Sequence, residues 1–154
     1  MSKNRVMSKK SCHVKKSCHV NFNHNFKKKK TGTNNKLSPT HVDESWDDIS
    51  KFTECITCQL EIPLETVIHA FSRAKKSETE NKRFITVLNP APAMELPAEV
   101  FPLCDFIIPN EEEAAKISGI AESGQKIETV EDAKKVSLIL AEKGAKCVII
   151  TLGG

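Results

Sequence analysis

The sequence predicts an α/β fold built on a mainly parallel sheet, and three features of residues 55–154 carry that prediction. Short apolar runs alternate with segments of helical periodicity, the rhythm of strand, helix, strand. The runs are continuously apolar, which predicts strands covered on both faces. Prolines, glycines and capping residues mark the boundaries between them.

Ile56 to Leu60 reads as the first strand, ending in Gln59-Leu60-Glu61. Pro63 then suits a first helical turn, and Leu64, Val67, Ile68, Phe71 and Ala74 recur at helical spacing. The polar stretch Lys75 to Lys82 is a loop, and Phe84 to Leu88 is the second strand. Asn89-Pro90-Ala91-Pro92 stops that strand, since two prolines exclude both strand and helix. A short helix is expected near Ala98 to Leu103, before a third strand from Phe106 to Ile108 that Pro109 closes. Asn110 can cap a helix from Glu111 to Ser118, with three acidic residues in its first turn and Gly119 after its end. Thr129 with Asp132 resembles a capping box. Val130, Ala133, Val136, Ile139 and Leu140 mark the following helix, which Gly144 ends, and Cys147 to Leu152 is the fourth strand.

Charge divides the chain. Residues 1–41 hold 11 Lys or Arg and no acidic residue, leaving 12 of the 23 basic and all 20 acidic residues to 42–154, a balance of −8 there. The first segment is Lys-rich, repeats SKKSCHV as VKKSCHV, and isolates Val6, Val14, Val20, Phe22 and Phe26 among polar residues. Burial so sparse does not offset the entropy of ordering, so 1–41 is expected to be a disordered basic tail. Such a tail suits weak, non-specific binding of nucleic acid or another polyanion. No apolar run approaches a membrane span or a signal-peptide core, which points to a cytoplasmic protein, or a nuclear one through its lysines. The six cysteines form no disulfide framework. Cys55-x-x-Cys58 lies at the entry to an apolar strand and reads as buried thiols, and Cys12, His13, Cys18, His19 and His24 match no closed zinc site. His69 reads as a partly buried residue on an apolar helix face.

Ligands of open α/β sheets bind beyond the carboxyl ends of the strands. Here those ends carry Glu61, Asn89, Asn110 and Thr151-Leu152-Gly153-Gly154. Each also has an ordinary role: Glu61 as a helix-start acid, Asn89 as a rigid loop former, Asn110 as an N-cap, the glycines as a turn.

CQLEIPLE (58–65), LNPAPAMELP (88–97), DFIIPNEEEAAKISG (105–119) and VIITLGG (148–154), in that order, resemble consecutive signatures of the PfkB family of carbohydrate kinases, of ribokinase type. The resemblance covers 42–154 and implies part of a ribokinase-like three-layer fold. It implies ATP-dependent phosphorylation of a sugar, D-ribose to D-ribose 5-phosphate, with Mg²⁺, a monovalent cation (K⁺) bound outside these residues, and homodimers. By the same resemblance Glu61 contacts the sugar. Asn110, Thr151, Leu152, Gly153 and Gly154 serve the nucleotide, and Glu113 holds Mg²⁺ through water. The family's glycine-rich sugar lid and its GAGD-type motif, which carries the catalytic Asp, have no match in the 154 residues. The expectation is therefore an inactive fragment. The alternative is a non-catalytic kinase core with a polyanion-binding tail.

Overall fold

The computed structural model describes residues 36–153. The tail expected over 1–41 thus lies outside the described residues up to Asn35. Helix α1 (Pro39–Glu44) spans the expected boundary at residue 42. Ser38 opens it, with its backbone N–H and its hydroxyl 3.2 and 2.7 Å from His41 Nδ1. Helix α2 (Trp46–Phe52) follows. Both helices are too short to show a periodicity, so neither was expected.

What holds them is contact with helix α3 (Leu64–Lys76) and its surroundings. Val42, Trp46 and Ile49 are buried. Thr66 Oγ1 donates to the Leu37 carbonyl at 2.8 Å, and Asp43 accepts from His69 Nε2 and Arg73 Nη1, each at 2.9 Å. The Arg73 guanidinium lies 5.2 Å from the Trp46 ring, which sits 5.8 Å from that of Phe84. His69 is about as exposed as its expected role allowed, but it is engaged by a carboxylate across the helix pair.

Strands β1 (Cys55–Cys58), β2 (Ile85–Leu88), β3 (Phe106–Ile107) and β4 (Cys147–Val148) form one parallel sheet in the order β1-β2-β3-β4. Their ends are in register, Cys58 beside Leu88, Leu88 beside Ile107, Ile107 beside Val148. Backbone bonds continue past the named strands: Asn89 N–H to the Cys58 carbonyl, Ile108 N–H to Leu88, and Thr151 N–H to Pro109 at 3.0 Å. Between the strands run a 3-10 helix (Ala98–Leu103), α4 (Glu111–Ser118), a second 3-10 turn (Ile120–Ser123) and α5 (Val130–Glu142). The expected caps are present. Asn110 accepts from Glu113 N–H and Thr129 from Asp132 N–H, and Gly119 ends α4 in the left-handed conformation. Gly144, at φ 113°, passes so close to Pro102 that a Cβ there would stand 3.3 Å from the proline ring. That position needs glycine on both counts.

The expectation that both sheet faces are covered does not hold among the described residues. Every crossover steps in the same direction across the sheet, and right-handed crossovers then deliver all connecting segments to one face. Ile56, Cys58, Thr86, Leu88 and Ile107 lie buried on that face. Their neighbours Cys55, Thr57, Ile85, Val87 and Phe106 point the other way and are half-buried or exposed, with Ile85 at 45% and Ile149 at 43%. Continuous hydrophobicity therefore describes a sheet built for two covers, of which these residues supply one. β1 and β4 also each leave one edge unpaired among the described residues. The 154-residue polypeptide is expected to self-associate through the apolar face and strand edges that the described residues leave open. Light scattering should give masses above the monomer. A monodisperse monomer with one cooperative thermal transition would overturn this.

The amino ends of the strands are tied by Asp105. Its carboxylate accepts from Lys75 Nζ at 2.5 Å, Lys146 Nζ at 2.8 Å, Thr86 N–H at 2.9 Å and Thr86 Oγ1 at 3.0 Å. Lys75 also donates to the Phe84 carbonyl, so one lysine from the end of α3 links the starts of β2 and β3. Burial pushes the Asp105 pKa up, but the hydrogen bonds from Lys146, Lys75 and Thr86 outweigh it and hold the carboxyl far below the usual range.

Candidate active site

Parallel strands in register put all four carboxyl ends on one edge of the sheet. That edge carries Glu61 after β1, Asn89 after β2, Asn110 after β3, and Thr151 to Gly153 after β4. Strand order sets their sequence along it. Three spacings of about 4.8 Å separate β1 from β4, so Glu61 and Thr151 stand at opposite ends of a strip roughly 14 Å long. The strip is held from below. Leu60 N–H donates to the Ala91 carbonyl at 2.8 Å, fixing the turn that carries Glu61 against the proline-rich loop after β2. Pro90 and Pro109 are buried beneath it.

Glu61 is exposed, lies in a turn before Pro63 and caps no helix. Its role as a helix-start acid thus loses support, since α3 begins at Leu64 without a side-chain cap. Asn110 and Glu113 are less free. Asn110 Oδ1 accepts from Glu113 N–H at 2.8 Å, and Glu113 Oε2 accepts from Asn110 N–H at 2.9 Å, a reciprocal capping box. Glu113 is 8% exposed. One of its carboxylate oxygens, Oε2, is engaged by the cap. Among the described residues no group of three His, Cys, Asp or Glu side chains could hold a metal directly. The donor set fits only a water-mediated contact to a Mg²⁺ that other groups also hold. Thr151, Leu152 and Gly153 are exposed, and Gly154 lies outside the described residues.

The structure adds Glu111, which sequence reasoning took only for a first-turn acid. Its Oε1 accepts from Gly153 N–H at 2.5 Å, across 42 positions of sequence. No local pattern signals so distant a contact. Backbone N–H groups, its own first and then that of Gly153, hold the Glu111 carboxyl below its usual range. A cleft of about 640 Å³ flanks α4 between Ala93, Lys116, Ile127 and Glu128, and Glu111 is on its wall. Glu61, Asn110, Glu113 and Thr151 do not line it, so the cleft is beside the strand-end strip and does not define it.

The thiols stay apart from this chemistry. Strand alternation turns Cys55 and Cys58 to opposite faces, which rules out a C-x-x-C chelate there. Burial, first, and the neighbouring Cys104 push the Cys58 thiol up to about 12. Cys104 is likewise raised to about 12, by burial and then by Asp105, and it donates to the Val100 carbonyl. Neither forms a thiolate near neutrality. Cys12 and Cys18 lie outside the described residues.

Residues 17–154 match the pfkB family carbohydrate kinase model. The chain is similar to the bifunctional ribokinase/ribose-5-phosphate isomerase A of Fructilactobacillus sanfranciscensis, 42% identical over 123 residues, 80% of this chain and 21% of that protein. It is 36% identical to deoxyribokinase of Salmonella typhimurium over 79% of this chain and 37% of that one. The crystal structure of ribokinase from Thermotoga maritima superposes with a TM-score of 0.59 at 30% identity, covering 78% of this chain and 35% of that one. The chain therefore spans well under half the length of each protein it matches here.

Proposed function

The chain belongs to the pfkB family of carbohydrate kinases, and on that premise we propose that its residues form the middle part of an ATP-dependent pentose kinase. The reaction is transfer of the γ-phosphoryl group of ATP to the 5-hydroxyl of D-ribose, which gives D-ribose 5-phosphate and ADP. The observation that carries this reading is the arrangement of Glu61, Asn110 and Thr151 to Gly153 along one sheet edge, in an order that separates a carboxylate from a glycine-rich strand end. A carboxylate can accept two sugar hydroxyls at once, which suits Glu61 to the pentose end. The exposed backbone after β4 suits the nucleotide end. Glu113 would hold Mg²⁺ through water, and the ion would supply positive charge at the transferring phosphate. We assign no residue to a monovalent cation. A cytoplasmic setting accords with this reading, and no described helix is long and apolar enough to cross a membrane.

A 2-deoxypentose is the neighbouring substrate, since a deoxyribokinase is among the relatives. The sugar 2-hydroxyl is the group that would separate the two. Nothing in the described residues favours the polyanion-binding alternative, which rests on the charge of 1–41 alone.

Phosphoryl transfer depends on positioning and on charge stabilisation around a catalytic base. The 154 residues carry no match to the family's base-bearing motif, so as expressed they should bind without turnover. Amide chemical-shift mapping tests the binding. Ribose should move signals from Leu60 to Ile62, and MgATP should move Asn110 and Thr151 to Gly153. Shifts from both ligands at the same end of the sheet would sink the reading. A coupled assay should show no ribose-dependent ADP release above a heat-killed control, and turnover would refute the expected inactivity.

A further inference from the structure

We propose that Glu111 is a positioning residue for the nucleotide end of the strip, holding the segment after β4 in place through the Gly153 N–H. This rests on the reading of Thr151 to Gly153 as nucleotide-binding. The case starts from how differently the two partners are held. Glu111 is the first residue of α4, directly after Asn110, and the Asn110–Glu113 capping box locks that turn. The segment after β4 is fixed far less. Its last ladder bond is Thr151 N–H to the Pro109 carbonyl, and Leu152 and Gly153 are exposed. Beyond Thr151, the bond from Gly153 N–H to Glu111 is the one hydrogen bond the segment makes among the described residues.

Two consequences follow from that asymmetry. A segment with one tether has many conformations without it, and a nucleotide meeting such a segment would have to order it at the expense of affinity. The glycine itself is not required by the tether. A Cβ at Gly153 would meet Glu111 Oε1 at 3.6 Å, an ordinary contact. Glu111 thereby acts on the ligand through the backbone and needs no contact with it.

The test compares Glu111→Ala with Glu111→Gln in the 154-residue chain, using amide exchange and an NMR titration with MgADP. Glutamine keeps an acceptor oxygen at the same reach and should behave like the parent. Alanine should speed exchange at Gly153 by about tenfold or more, as expected for loss of a local hydrogen bond. It should also weaken MgADP binding by about three- to tenfold, the net worth of one hydrogen bond, with the thermal midpoint unchanged. Unchanged exchange at Gly153 in the alanine variant would show that the tether does not form. Faster exchange with unchanged MgADP affinity would reduce Glu111 to a structural tie and overturn the proposal. Failure of the parent chain to shift Thr151 to Gly153 with MgADP would overturn the nucleotide reading itself, and with it the positioning role. The exchange result tells that case apart from the others.

Discussion

Asp105→Ala is expected to destabilise the folded residues by about 3 kcal/mol, a large effect for a single polar side chain. The carboxylate is 14% exposed and collects four donors, from α3, from β2 and from Lys146 just before β4. Removing it leaves the Thr86 N–H without its partner, and Thr86 is fully buried. It also leaves Lys75, 19% exposed, with only Glu78 and the Phe84 carbonyl. Lys146 is half-exposed and adds little, because its charge returns to water. The carboxyl is held below its unfolded value, so its stabilisation is fully present above about pH 4 and is lost as pH falls towards the lowered folded value. Urea denaturation across acid pH measures this. The parent should lose stability below about pH 4, and Asp105→Asn should show a flatter acid limb from a lower plateau. An asparagine variant with the parent's acid limb would mean that the carboxylate's charge does not hold the strand starts together.

Much of this fold was legible because its local signals agree. Asn110, Gly119, Thr129 and Gly144 each demand one backbone state, and the helices between them begin and end where those residues stand. The strands stand where the sequence places them but are shorter than their apolar runs, since apolar side chains continue after ladder pairing thins out, as in Ile149 and Ile150 beyond Val148. Helices α1 and α2 were missed. Their stability comes from contacts such as Thr66 with Leu37 and Arg73 with Trp46, which no local window contains. The sheet face left uncovered among the described residues is illegible locally for a related reason. Composition tells that a strand's two faces are apolar, and only the direction of the crossovers tells which face these residues cover. The site divides the same way. Strand ends can be read from punctuation, so the placement of Glu61, Asn110 and Thr151 at those ends is legible in the sequence. Glu111 could not be, because its partner is 42 residues away.

Glu61 and Glu113 offer the sharpest separation of the two ends of the strip, tested in a kinase completed to the family's full length. Glu61→Ala is expected to raise the KM for ribose by about one to two orders of magnitude, the worth of hydrogen bonds to a charged acceptor. Glu113→Ala should depress kcat and shift the magnesium dependence with ribose KM nearly unchanged, because an interaction through the metal strengthens as charge moves in the transition state. The structure makes the competing account distinct. Glu61 caps nothing and is exposed, so a purely structural role predicts no stability loss and no kinetic effect from its removal. Glu113 closes a capping box through Asn110 N–H, so a purely structural role predicts about 1 kcal/mol of lost stability and no change in magnesium dependence. Glu113→Gln sharpens the comparison, since its amide oxygen can keep the cap while the charge is gone. It should retain stability and still lose kcat and magnesium affinity. Parent-like kinetics in Glu113→Gln would make Glu113 a capping residue alone, and parent-like ribose KM in Glu61→Ala would remove the carboxylate from the sugar end.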